Sequence, residues 1–98
     1  MSYDSVLAIF GSQEPITVPV SWGTVIVHSV TVSKYVDAIS EVDEKPIYNM
    51  LAMAVQVDGE YWTATQWASL PKKAMKDISD IYDAYKTLNG NDEEGEKK

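Results

Sequence analysis

The chain predicts an α+β domain: an N-terminal β-hairpin followed by three to four helices, with a mostly helical C-terminal half. Three observations carry that reading. Residues 16–30 are rich in Val, Ile and Thr, which fit a pleated surface, and are interrupted once by Ser21-Trp22-Gly23. Residues 33–57 and 71–89 instead repeat apolar residues at steps of three and four, the spacing of one helix face. Between these helical stretches lies an aromatic-rich connector, Glu60 to Pro71, which holds Tyr61, Trp62 and Trp67.

In chain order, Val6 to Phe10 is an apolar run that fits either a short strand or one helical turn. Gly11-Ser12-Gln13-Glu14-Pro15 then breaks whatever precedes it. Ile16 to Val20 and Thr24 to Val30 are the two strands of the hairpin, turned at Ser21-Trp22-Gly23. Pro19 has no amide hydrogen to give a ladder, so the first strand belongs at an edge or carries its proline outward. An edge strand also leaves room for pairing with a strand of another subunit. Because a lone hairpin is marginal in water, the helices must cover its apolar face.

Ser33 is a candidate N-cap for a helix over 34–43, with Tyr35, Ile39 and Val42 as its apolar stripe and Val36 widening it. Pro46 suits the first position of a second helix, where its missing amide hydrogen costs nothing. Ile47, Met50, Leu51, Ala54 and Val55 keep one face of that helix as far as Val57, and Asp58-Gly59 stops it. Thr63 and Gln66 have capping-box spacing, which places a short helix over 64–69 carrying Trp67. The last helix starts near Pro71, shows Met75, Ile78, Tyr82 and Tyr85 on one face with Ile81 and Leu88, and ends at Asn89-Gly90. Residues 1–89 are thus expected to form one small globular domain. Residues 90–98 lack an apolar residue to offset their ordering entropy and read as an acidic, polar, disordered tail.

Composition narrows the function. Ninety-eight residues, 45% hydrophobic, suffice for one core and not for two. Fifteen acidic residues against eight lysines and no arginine give a net charge of -7, which argues against nucleic-acid binding. With no cysteine and a single histidine, His28, the chain offers no disulfide framework and no zinc ligand set. A hydrolytic serine has no Gly-x-Ser-x-Gly elbow, and no glycine-rich loop follows a strand to cradle a phosphate. No catalytic residue, cofactor or metal is therefore expected. The N-terminus has no basic region before its apolar run, so neither a signal peptide nor a membrane anchor is expected.

What remains is contact chemistry. Asp77, Asp80 and Asp83 recur every three residues on the last helix and read as a solvated face, or else as a negative rail that Asp92, Glu93, Glu94 and Glu96 extend. Trp22, next to Gly23 at the hairpin turn, is expected to be exposed. Trp62 and Trp67 fit either the core or a partner surface, where Trp and Tyr are favoured anchors. Trp62, Trp67, Tyr82 and Tyr85 are taken as the candidate protein-binding residues.

Trp67-Ala68-Ser69-Leu70-Pro71-Lys72-Lys73-Ala74-Met75, continuing through Ile78, Ile81, Tyr85 and Leu88-Asn89-Gly90, together with the element order over residues 16–90, resembles the tail assembly chaperones of long-tailed bacteriophages. The resemblance implies a non-enzymatic factor of the host cell cytoplasm that binds the tape measure protein and helps recruit major tail tube protein subunits. It also implies absence from the mature virion and, in many members, a longer frameshifted form of the same chain. Two other readings compete. One is an acidic inhibitor that mimics DNA to block a host nuclease or defence protein, and the other is a small structural tail or connector subunit.

Overall fold

β-Branched residues build the start of the core. The structure, a computed structural model, describes residues 2–11 and 13–90. Among them the order is α1 (Tyr3–Ile9), β1 (Ile16–Val20), β2 (Gly23–Val27), α2 (Val32–Ser40), α3 (Pro46–Ala54), β3 (Val55–Val57), β4 (Glu60–Tyr61), α4 (Ala64–Ala68), a 3₁₀ turn (Lys72–Ala74) and α5 (Met75–Asn89). The strands form one antiparallel sheet in the order β1-β2-β3-β4. The α+β class and the helical C-terminal half are as the sequence predicts.

Register sorts the side chains. Val18, Val25 and Val57 stand in one row and Val27 and Val55 in the next, all buried. The opposite face carries Thr17, Ile26, Gln56 and Tyr61 in one row and stays wet, as an antiparallel sheet covered on one side does. Pro19 is exposed on β1, an edge strand, where its missing donor leaves no ladder bond unmade. Leu51, Ala54, Trp67, Ile81 and Tyr85 from the helices close one core cluster over the valine rows. α5 packs on β1 and β2, while α3 packs on α4 and on α2.

Several boundaries depart from the sequence reading, among them the second strand, which ends at Val27 and not Val30, and the last helix, which begins at Met75 after the 3₁₀ turn at Lys72–Ala74. Of the two forms open to the run Val6 to Phe10, the helical one is found: Val6 to Ile9 belong to α1 with Phe10 as its C-cap, and Ser2 caps its start by accepting from the Ser5 amide at 3.1 Å. The helix expected over 34–43 starts at Val32 and ends at Ser40. Its cap is Thr31, whose Oγ1 accepts from the Lys34 amide, so Ser33 lies inside the helix and Val42 beyond it. The helix opened by Pro46 stops at Ala54, and Val55 to Val57 pair as a strand with β2 and β4. Asp58 (φ 53°) and Gly59 (φ 80°) both sit left-handed, so Asp58-Gly59 is the tight turn of a second hairpin. The short helix at Thr63 is as expected. The Gln66 amide donates to Thr63 Oγ1 at 3.1 Å, and the Thr63 amide donates to Gln66 Oε1 at 2.9 Å.

Asn89 fastens the end of α5 to the chain that leaves β2. Its Oδ1 accepts from the Val30 amide at 2.8 Å and its Nδ2 donates to the His28 carbonyl at 3.2 Å. Asn89→Ala strands both half-buried backbone groups and is expected to lower stability by about 1–3 kcal/mol. Asn89→Asp keeps the acceptor and should fall in between, with equal losses in urea denaturation counting against the two-bond account. Most of the expected tail, residues 91–98, lies outside the described residues.

Candidate protein-binding surfaces

Three tryptophans converge, Trp22 from the hairpin turn and Trp62 and Trp67 from the connector. The capping box fixes α4, which turns Trp67 into the core at 1% exposure. Trp62 precedes the cap and lies tilted against Trp67, with ring centroids 4.6 Å apart, and Trp22 stacks on Trp62 at 5.9 Å. Exposure rises along the stack from Trp67, through the half-buried Trp62, to Trp22 at 38%. The Trp67 indole Nε1 is buried and has no acceptor among the described residues.

Asp77 sets the position of the Trp22 turn. Its Oδ1 accepts from the Ser21 amide at 3.1 Å, which ties the β1–β2 turn to the first turn of α5. The expected row of solvated carboxylates is corrected accordingly, since Asp77 is buried and used for structure. Asp80 and Asp83 remain on the surface, and each meets a lysine of its own helix. Asp80 pairs with Lys76 at 3.1 Å and Asp83 with Lys86 at 3.7 Å. Exposed pairs of this kind contribute little to stability. The residues expected to extend the row, Asp92, Glu93, Glu94 and Glu96, lie outside the described residues.

Of the four candidate contact residues, Trp62 and Trp67 touch one another, as do Tyr82 and Tyr85, whose rings stack at 5.7 Å. Only one of each pair reaches the surface. Tyr85 is buried and donates its hydroxyl to Met50 Sδ at 3.2 Å, whereas Tyr82 is half-buried beneath the Lys86 ammonium, 5.0 Å from its ring centre. As surface anchors, Trp67 and Tyr85 are thus withdrawn. Trp22 and Met75 stand nearer to solvent, Met75 at 58% exposure two residues before Asp77. Trp22 was expected to be exposed, but only the fold shows that it joins Trp62.

His28 Nε2 donates to Gln56 Oε1 at 2.6 Å, and its ring lies 6.2 Å from that of Tyr61. A shallow groove of about 560 Å³ runs between α2 and α3, lined by Lys34, Asp37, Glu41, Asn49, Met53 and Tyr61. Asn49 Nδ2 is already committed there to the Ala38 and Glu44 carbonyls. Among the described residues no group of three or more His, Asp or Glu side chains is placed to hold a metal ion.

No family model, curated protein or solved structure matches the chain. Its function must be argued from its own surfaces. Two are apolar: the tryptophan stack beside the start of α5, and the outer sides of α1 and α2, where Val6, Leu7, Val36 and Ile39 are exposed. Val6 to Phe10 alone is too short to show the α1 stripe. Adding Tyr3 gives Tyr3, Val6, Leu7 and Phe10, a full helical repeat. No helix among the described residues is long and apolar enough to cross a membrane.

Proposed function

We propose that this protein is a non-enzymatic assembly factor of the phage tail assembly chaperone kind, acting in the host cell cytoplasm. Its cargo is the tape measure protein, and it helps bring major tail tube protein to that cargo. The observation that supports the reading is the Trp22–Trp62 stack, half open to solvent and braced from beneath by the buried Trp67. Rigid aromatic faces seated on a core give large contact area with little entropy to lose, the character of interface anchors. A tape measure protein is a long helical chain whose apolar stripes must be covered until the tail is built. An amphipathic helix laid across Trp22, Trp62 and Met75 is the matching mode. The surplus of negative charge keeps the coated complex from aggregating.

The test is affinity capture of a tagged copy from infected cells during tail assembly, with a parallel search for the tag in purified mature particles. The tape measure protein is expected in the captured fraction and the tag is expected to be missing from particles. Trp62→Ala should weaken the captured complex by about 2 kcal/mol, roughly 30-fold, while the protein stays folded. Retention in particles would replace this reading with that of a structural tail subunit. Capture of a host DNA-binding protein alone would replace it with that of an inhibitor.

A further inference from the structure

α1 is a seven-residue helix with no buried residue. A helix this short does not sustain itself in water, where isolated helices below about 12–15 residues are marginal. Yet it is capped at Ser2, and Tyr3, Val6, Leu7 and Phe10 line one side of it, with Tyr3 at 76% and Phe10 at 71% exposure. A second uncovered stripe runs along α2. Its inner side packs on α3 through Ala38, but Val32, Val36 and Ile39 face outward at i, i+4 and i+7, and Val42 lies exposed past the extended Glu41 cap at the end of the helix. Val32 is 81% and Val42 91% exposed.

We infer that these two stripes cover each other between two copies of this chain, α1 of each protomer lying along α2 of the other. Size supports this pairing. Weighting each side chain by its exposed fraction gives roughly 400 Å² of apolar surface for either stripe. One α1 on one α2 therefore falls well short of a stable interface. A reciprocal exchange removes both stripes from each protomer, roughly 800 Å², which is the share per partner in a standard interface. A two-fold axis closes that exchange with no stripe left over. Within a single chain α1 does not settle on its own α2, although only residues 10–15 separate it from β1, so the cover comes from outside. These stripes lie on other elements than Trp22, Trp62 and Met75, so the self-association stands or falls separately from the proposed cargo.

The charge of each copy gives the pairing a signature. Two chains of net charge -7 repel, so added salt should tighten an apolar dimer, whereas it would loosen a contact held by opposite charges. The test is sedimentation equilibrium of the purified full chain from 1 to 100 µM at low and high salt. It is joined by Leu7→Glu and Val36→Glu, two exposed substitutions that leave the core untouched. The expected result is a wild-type dimer that tightens with salt and weakens about 100-fold or more in either variant, with near-ultraviolet dichroism of the tryptophans unchanged. A wild-type monomer at 100 µM overturns the inference, and so does a dimer that survives both substitutions. Mass that keeps rising with concentration would mean an open chain of exchanged copies and also overturns the closed pair. Because the chain has no cysteine, Leu7→Cys mixed with Val36→Cys gives an independent reading. A disulfide between the two different variants is expected, and its failure to form in a dimeric mixture counts against the α1–α2 contact.

Discussion

Replacing Trp67 by alanine should remove about 3–5 kcal/mol of folding stability, the range for truncating a large buried aromatic. A small domain has about 5–15 kcal/mol in total, so much of the chain should be unfolded well below the wild-type midpoint. The reason is position. Trp67 is enclosed by the core cluster and carries Trp62 on its face, so the cavity left behind also undermines the partly exposed stack. Trp67→Phe should be far milder than its loss of volume suggests, because it also deletes a buried indole N–H with no acceptor. Urea denaturation followed by far-ultraviolet dichroism separates the two variants, and equal losses would overturn the milder effect expected for Trp67→Phe. The same pair tests the contact role expected for Trp67. If Trp67→Phe folds and still captures cargo as well as wild type, the indole serves the core and Trp62 serves the surface.

Tyr85→Ala is the second large effect, again about 3–5 kcal/mol. Tyr85 fills the space between α5 and α3, gives its hydroxyl to Met50 Sδ and backs the ring of Tyr82. Tyr82→Ala should lower stability by only about 1 kcal/mol, since that ring keeps one side in solvent and loses mainly its stacking partner. Thermal unfolding of the two variants checks the contrast. Similar midpoints would mean that the two tyrosines divide the core between them, contrary to their burial.

The elements that sequence made legible are those with their own local chemistry. The first hairpin follows from β-branched residues and the turn at Ser21-Trp22-Gly23, of which Gly23 opens β2, the α4 start from the Thr63–Gln66 box, and the α3 start from Pro46 at a first helical position. The elements that the sequence does not show are decided by partners distant in the chain. Val55 sits at the next expected helical step after Leu51, so α3 reads on into β3, and only pairing with Val27 makes Val55 a strand residue. Strands of three and two residues are also too short to show alternation. Asp58-Gly59 stops a helix and turns a hairpin equally well, which is why the second hairpin was hidden. Asp77 looked solvated because its neighbours at three-residue steps are charged, while its burial depends on the Ser21 amide, 56 residues away. Of the four aromatics that the sequence offers as contact residues, Trp62 and Tyr82 reach solvent while Trp67 and Tyr85 are buried, a division set by tertiary packing and not by spacing.

The passage from α3 to β3 takes place within one peptide bond, Ala54 to Val55, with no connecting residue. A helix advances by about 100° per residue and a strand by 180°, so a junction without slack meshes the two like gears on one shaft. Turning α3 to present a different stripe to α2 would drag Val55 and Val57 out of the core-facing rows. The helix beneath α2 is thereby phased to the centre of the sheet, and the outward stripe of α2 inherits its direction from the strand register. Variation in chain length can be absorbed in the loop at 41–45 or at 11–15, but not at this joint.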